Sequence, residues 1–91
     1  MRGLVALVEE QHLEFAVVIV QEYVMNGPTS HKEELVAAFT REFGAPAVLM
    51  SQDAHGELEF FGRLDLSQWL ANNVLEPSQL PWREFTITLA A

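Results

Sequence analysis

Arg63 is one of only five basic residues in this chain, which also carries thirteen acidic residues. It lies in the stretch FFGRLDLSQWL, between two phenylalanines and Trp69. A guanidinium can bind a carboxylate or phosphate through two parallel hydrogen bonds, so one interpretation is an anion site in an aromatic pocket. That site would gain support from Arg41 or Arg83 in the same cleft. The favoured interpretation is a surface arginine near an Asp or Glu, because such pairs are common and each contributes little.

Other side chains that carry chemistry lack the spacing of a catalytic or metal site. His31 and Glu34 are three residues apart on a predicted helix, but a metal needs three or four ligands, and His12 and His55 lie elsewhere. No serine lies in a nucleophile elbow. There is no cysteine, which excludes disulfides, thiolate catalysis and Fe–S clusters. We therefore expect no catalytic, metal-binding or cofactor-binding residues, and no enzyme.

The net charge of −8 disfavours nucleic acid as a partner. Affinity for a phosphate backbone comes from Lys and Arg through counterion release. Trp69 and Trp82 are therefore assigned to the core rather than to a platform for bases, and an acidic mimic of DNA is a minor alternative. The apolar run at 15–20 is far shorter than the ~20 residues of a membrane span. The short apolar patch near the N-terminus does not fit a signal peptide. A soluble, cytoplasmic protein with no membrane contact is expected.

The periodicity of apolar residues predicts the main elements. Four consecutive β-branched residues at 17–20 disfavour a helix, and the unbroken apolar run indicates a central strand covered on both faces. Ser30 and Glu33 have capping-box spacing, which predicts a helix that ends at Gly44 with Arg41 in its last turn. The segments AVLMSQ and ELEFF, joined by DAHG, predict a β-hairpin.

A second helix is predicted after Gly62, where the backbone turns from strand to helix. Asp65 and Gln68 have capping-box spacing, and Leu64 and Trp69 have that of a hydrophobic staple. WREFTITL alternates as a strand with one solvated face. The N-terminal segment is either a short helix or a strand. The helix is favoured because a hairpin would have to turn through EEQH, which lacks Gly, Asn and Pro.

Two segments resemble a thioredoxin fold. VVIVQEYVMNGPT is similar to a strand of that fold running into the turn where C-G-P-C would stand, and APAVLM…GELEFFGRLDLSQWL is similar to its proline, hairpin and final helix. Asn26 and Thr29 stand in place of the two cysteines. The resemblance therefore implies a redox-inactive thioredoxin-like domain. The sequence departs from that fold by lacking a strand–helix unit between Gly44 and Pro46 and by having an extra terminal strand.

The sequence predicts one α+β domain, residues 1–91, with a single-layer mixed or antiparallel sheet of about four strands and helices packed on it. The element order β-α-β-β-α-β, after the N-terminal segment, is that of ferredoxin-like domains. In that layout both helices cover one sheet face, which would leave Val18 and Val20 on an open apolar face.

The favoured cover for this face is a second copy of the sheet, alone or together with the N-terminal segment, so a homodimer is predicted. The expected function is protein–protein contact, including self-association. The alternative is a small-ligand module that binds an anion through Arg63 and nearby aromatics. The candidate ligand or interface residues are Arg63, Trp69, Trp82, Arg83, Val18 and Val20.

Overall fold

The structure, a computed structural model, describes residues 2–10, 12–73 and 77–87. Within these residues the strands are β1 (Arg2–Glu10), β2 (Leu13–Ile19), β3 (Ala47–Gln52), β4 (Leu58–Phe61) and β5 (Trp82–Thr86), and the helices are α1 (Glu22–Met25), α2 (Thr29–Phe43) and α3 (Leu64–Asn73). The strands form a sheet in the order β4-β3-β2-β1-β5. The α+β class and the mixed sheet are confirmed, with five strands in place of about four.

The N-terminal segment is a strand, so the favoured helix is wrong. β1 pairs with β2 as an antiparallel hairpin in which Glu10 faces Leu13. The turn contains His12 with φ of 64°, a left-handed conformation in which His is more frequent than most other residues with a side chain. A histidine thus takes a backbone conformation for which glycine or asparagine was expected, and the hairpin forms without either.

The strand order is not ferredoxin-like. β2 and β3 are adjacent and parallel, and α2 lies between them in the chain, so this βαβ unit is not split by another strand. β5 pairs with β1, which lies on the far side of β2. The N-terminal strand therefore separates β5 from the β2–β3 unit, a placement that element order alone does not reveal.

Both faces of the sheet are covered within one chain. Val18, Val20 and Leu49 pack with Leu35 and Phe39 of α2 on one face. On the other face, the buried side chains of the sheet pack against Leu66 and Leu70 of α3; they are Phe15, Val17, Val48 and Met50. The expectation that both faces of the central strand are covered is therefore confirmed.

The two helices lie on opposite faces of the sheet, so α2 covers the face that carries Val18 and Val20, α3 covers the other face, and no second sheet is needed. Val18 is fully buried and Val20 is 7% exposed in the single chain, so neither is available as an interface residue. The apolar face from which a homodimer was predicted is therefore not open.

The ends of α2 explain one correct and one wrong prediction. Gly44 ends the helix with φ of 67°, and Arg41 lies in the last turn, as predicted. The helix begins at Thr29 after Pro28, and its N-cap makes no side-chain hydrogen bond. Ser30 therefore lies inside the first turn, and the predicted capping box is wrong. Pro28 is the N-cap and its backbone is extended, with φ of −60° and ψ of 138°, so Thr29 is the first helical residue.

The two segments that were compared with a thioredoxin fold lie in the first and second halves of the described chain. They form part of β2, α1 and the first residue of α2, and then the β3–β4 hairpin and most of α3. Asn26 is the C-cap of α1, and Thr29 is the first residue of α2.

The last predicted strand extended to Leu89, but Thr88 and Leu89 lie outside the described residues. No helix in the described part of the chain is both long and apolar enough to cross a membrane.

Candidate functional site

Arg63 forms a two-pronged ion pair with Asp65. Its Nε donates to Oδ1 of Asp65 at 2.9 Å, and its Nη2 donates to Oδ2 at 2.8 Å. The side chains are 55% and 59% exposed. The hydrogen bond from Arg63 holds the pKa of Asp65 below its ordinary value, and the same bond raises the pKa of Arg63. The carboxylate that Arg63 binds therefore belongs to its own chain.

This pair overturns the role predicted for Asp65. α3 begins at Leu64, and the N–H of Ser67 donates to the carbonyl of Arg63 at 2.9 Å, which places Arg63 rather than Asp65 at the cap position. Leu64 is 70% exposed, so it does not form the predicted staple with Trp69. The carboxylate of Asp65 still lies in the first turn, where the helix dipole favours negative charge.

A groove of about 310 Å³ runs beside this pair, between the β1–β2 hairpin and the first half of α3. Phe15 is fully buried at its floor, and Trp69 packs edge-on against Phe15 with ring centroids 6.2 Å apart. Apart from Arg63 and Asp65, the groove is lined by Glu10, Leu13, Phe15, Leu66 and Trp69. Its apolar side chains thus lie beneath the charged ones, and polar atoms make up more than half of its exposed lining.

The rim carries two carboxylates, Glu10 and Asp65, against one guanidinium. Asp65 is already paired, and Glu10 has no hydrogen bond or ion pair with the described residues. Glu9 and Glu14 are also cross-strand partners, but they lie on the opposite face of the hairpin, because side chains alternate along each strand and Glu10 pairs with Leu13. The sequence between Arg2 and Lys32 contains no lysine or arginine. The hairpin side of the groove is therefore negative.

The remaining predicted site residues do not join this groove. Trp82 packs against the apolar cluster on the α3 face, as Trp69 does. Arg83 follows it on β5 and points to the opposite face, since side chains alternate along a strand. Neither Arg83 nor Arg41 lines the groove, so the described residues do not bring a second arginine to Arg63.

Sequence reasoning missed Glu10 and Leu13, which form the hairpin wall of the groove. They lie some fifty positions before Arg63 in the chain. Their proximity depends on the N-terminal segment being a strand and on α3 covering the face of β2 that carries Phe15. The available signal was the continuous apolar run at 4–8, which fits a buried strand as well as a short helix.

In the described residues, no group of three or more His, Asp or Glu side chains is placed to hold a metal ion. Searches of protein-family models, curated proteins and solved structures found no match to this chain. What the site can bind must therefore be inferred from its own residues.

Proposed function

We propose that this chain is a non-catalytic protein that acts by binding another protein through the groove beside α3. The observation that carries the proposal is the apolar floor under a charged rim. Protein interfaces have this anatomy, with an apolar centre and a polar edge. Tryptophan is also enriched among the residues that dominate binding energy, and Trp69 is half-buried in the groove wall.

The size of the groove favours a side chain of a partner over a metabolite. Ligand pockets commonly measure about 300–1,000 Å³, and this groove is at the lower limit. Metabolite sites also combine an apolar lining with a few convergent polar groups that fix orientation. Here the polar groups stand on the rim and the floor offers none.

An anion is the less supported ligand. The donors Nε and Nη2 of Arg63 already point at Asp65, and an incoming anion would compete with that carboxylate. It would also approach Glu10. The redox-inactive thioredoxin-like domain that the resemblance implies would also act by binding a protein. With Asn26 and Thr29 in place of the two cysteines, such a domain has no thiol to exchange.

Self-association is a second form of the same proposal, but its support is weaker than the sequence indicated. A second copy would have to use a sheet edge or the groove. The edge strands are short, and β5 carries charged side chains, features that discourage edge pairing. Two identical acidic grooves would also repel each other. A different partner therefore fits the groove better than a second copy does.

Selection from a random peptide library displayed on phage tests the proposal. We expect the wild-type chain to enrich peptides that bind Leu13→Ser at least tenfold more weakly, since this change removes one apolar wall. Tyr23→Ser is the control, because Tyr23 is 75% exposed on α1 and lies outside the groove. Circular dichroism checks that both variants are folded.

Peptides that bind Leu13→Ser as well as wild type would refute the groove as the contact surface, as would peptides whose binding depends on Tyr23. Light scattering on the same samples tests self-association. A mass of 10.2 kDa at all concentrations contradicts the homodimer.

A further inference from the structure

The groove has an uncompensated charge on one wall and an aromatic side chain on the other. Glu10 stands on the hairpin wall, and Trp69 stands on the α3 wall with the buried ring of Phe15 below it. Arg63 is held by both oxygens of Asp65, so the one positive side chain that the described residues bring to the rim is already neutralised within its own helix turn. An occupant that complements these walls is positively charged and has an apolar or planar body.

We propose that the groove takes an arginine side chain from a basic segment of a partner protein. The inference rests on the proposed function and adds the chemistry of the partner. The methylene stem of the arginine lies along Leu13 and Trp69, and its guanidinium binds Glu10.

Arginine fits better than lysine because its planar, weakly hydrated head stacks on aromatic faces and forks onto a carboxylate.

The Arg63–Asp65 pair gives the site its selectivity for charge. If Asp65 were unpaired, the rim would be a broad acidic patch open to any cation. With Asp65 held, Glu10 is the rim carboxylate without a partner among the described residues, so the cation has one place to bind.

Two synthetic peptides test this directly. The first is the acetylated and amidated pentapeptide Gly-Leu-Arg-Leu-Gly, and the second has citrulline, the neutral isostere of arginine, in its place. Titration into the isotopically labelled chain is followed by NMR through the indole N–H of Trp69. We expect the arginine peptide to bind about threefold or more tightly, from one partly exposed ion pair and a cation–π contact. The difference should shrink in about 0.5 M salt, where exposed charges are screened.

Glu10→Gln locates the contact. It should weaken binding of the arginine peptide and leave the citrulline peptide unchanged, which gives a coupling between Glu10 and the guanidinium. Glu42→Gln is the matched control, since it removes the same charge from an exposed position on α2, at the opposite face of the sheet. Its effect on both peptides should be small and equal.

Equal binding of the two peptides, or equal losses in Glu10→Gln and Glu42→Gln, would overturn the inference. A response of Arg63 to inorganic phosphate at lower concentrations than to the arginine peptide would also overturn it, in favour of an anion site. If library peptides depend on Leu13 but contain no enriched arginine, the inference fails while the proposed function stands. If no peptide depends on Leu13, the proposed function itself fails.

Discussion

Gly62 joins β4 to α3, and replacing it by alanine should destabilise the chain by pushing α3 away from the sheet. A Cβ at this position would lie 3.0 Å from the carbonyl oxygen of Ala47 and 3.1 Å from the Cα of Val48. Ordinary contacts of a Cβ begin at 3.4 Å. Both neighbours belong to the backbone of β3, which pairs with strands on either side and cannot yield as a flexible side chain would.

Overpacking of this kind costs about 1–3 kcal/mol. Small domains are stable by about 0.05–0.15 kcal/mol per residue, so the loss is a sizeable share of the total. Each kcal/mol lowers the melting temperature of a domain this size by about 4–8 °C. Because α3 forms one wall of the groove, the NMR signals of the Trp69 indole N–H and of the backbone amides in the first turn of α3 should also shift.

Thermal unfolding and NMR spectra of Gly62→Ala, beside Gly44→Ala, test this reasoning. Gly44 has φ of 67° and no atom within 4 Å of a built Cβ. Its replacement should cost about 1–2 kcal/mol from backbone strain alone, with no change in the signals of α3. A Gly62→Ala variant with the melting temperature of wild type, or with an unchanged NMR signal for the indole N–H of Trp69, would refute this reasoning. Either result would show that the junction of β4 and α3 can accommodate a Cβ without moving the helix.

Val18→Asp should abolish cooperative unfolding, because an unpaired carboxylate in a fully buried site is strongly destabilising; a variant that stays folded by circular dichroism and unfolds cooperatively would refute the burial of Val18 under α2. The second prediction concerns pH. Because the pKa of Asp65 is lowered in the folded chain, the stabilisation from its pair with Arg63 is fully present above its ordinary value of 3.8 and is lost as pH falls through the lowered value. Arg63→Gln should raise the pKa of Asp65 in an NMR titration, and an unchanged pKa would mean that the pair does not persist in solution.

The sequence predicts well those elements whose pattern is local. Two examples are the helix that ends at Gly44 and the β3–β4 hairpin. The residues that predict each of them are close together in the sequence. The central position of β2 follows from its continuous apolar run, since only a strand covered on both faces buries such a run. The N-terminal strand could not be predicted in this way, because its hairpin turns at His12, whose φ is positive although histidine rarely signals a turn.

The strand order and the groove depend on long-range pairing. The sequence shows that Trp69 faces a core, but not that this core is on the opposite side of the sheet from α2. The partner of Arg63, Asp65, lies only two positions away in the stretch FFGRLDLSQWL. Asp65 was assigned to a cap by its spacing to Gln68, and capping-box spacing does not distinguish that role from an ion pair with the preceding arginine.

The pairing of β1 with β5 has a consequence for how the chain folds. Arg2 faces Thr86, so residues separated by almost the whole described length are neighbours. The β1–β2 hairpin and the β3–β4 hairpin close short loops, whereas the β1–β5 ladder closes the longest loop in the fold. The entropy of loop closure must be met before that ladder is stabilised. We therefore expect β5 to dock in a late step, with the other four strands already assembled, and its amides to exchange with solvent sooner than those of β2.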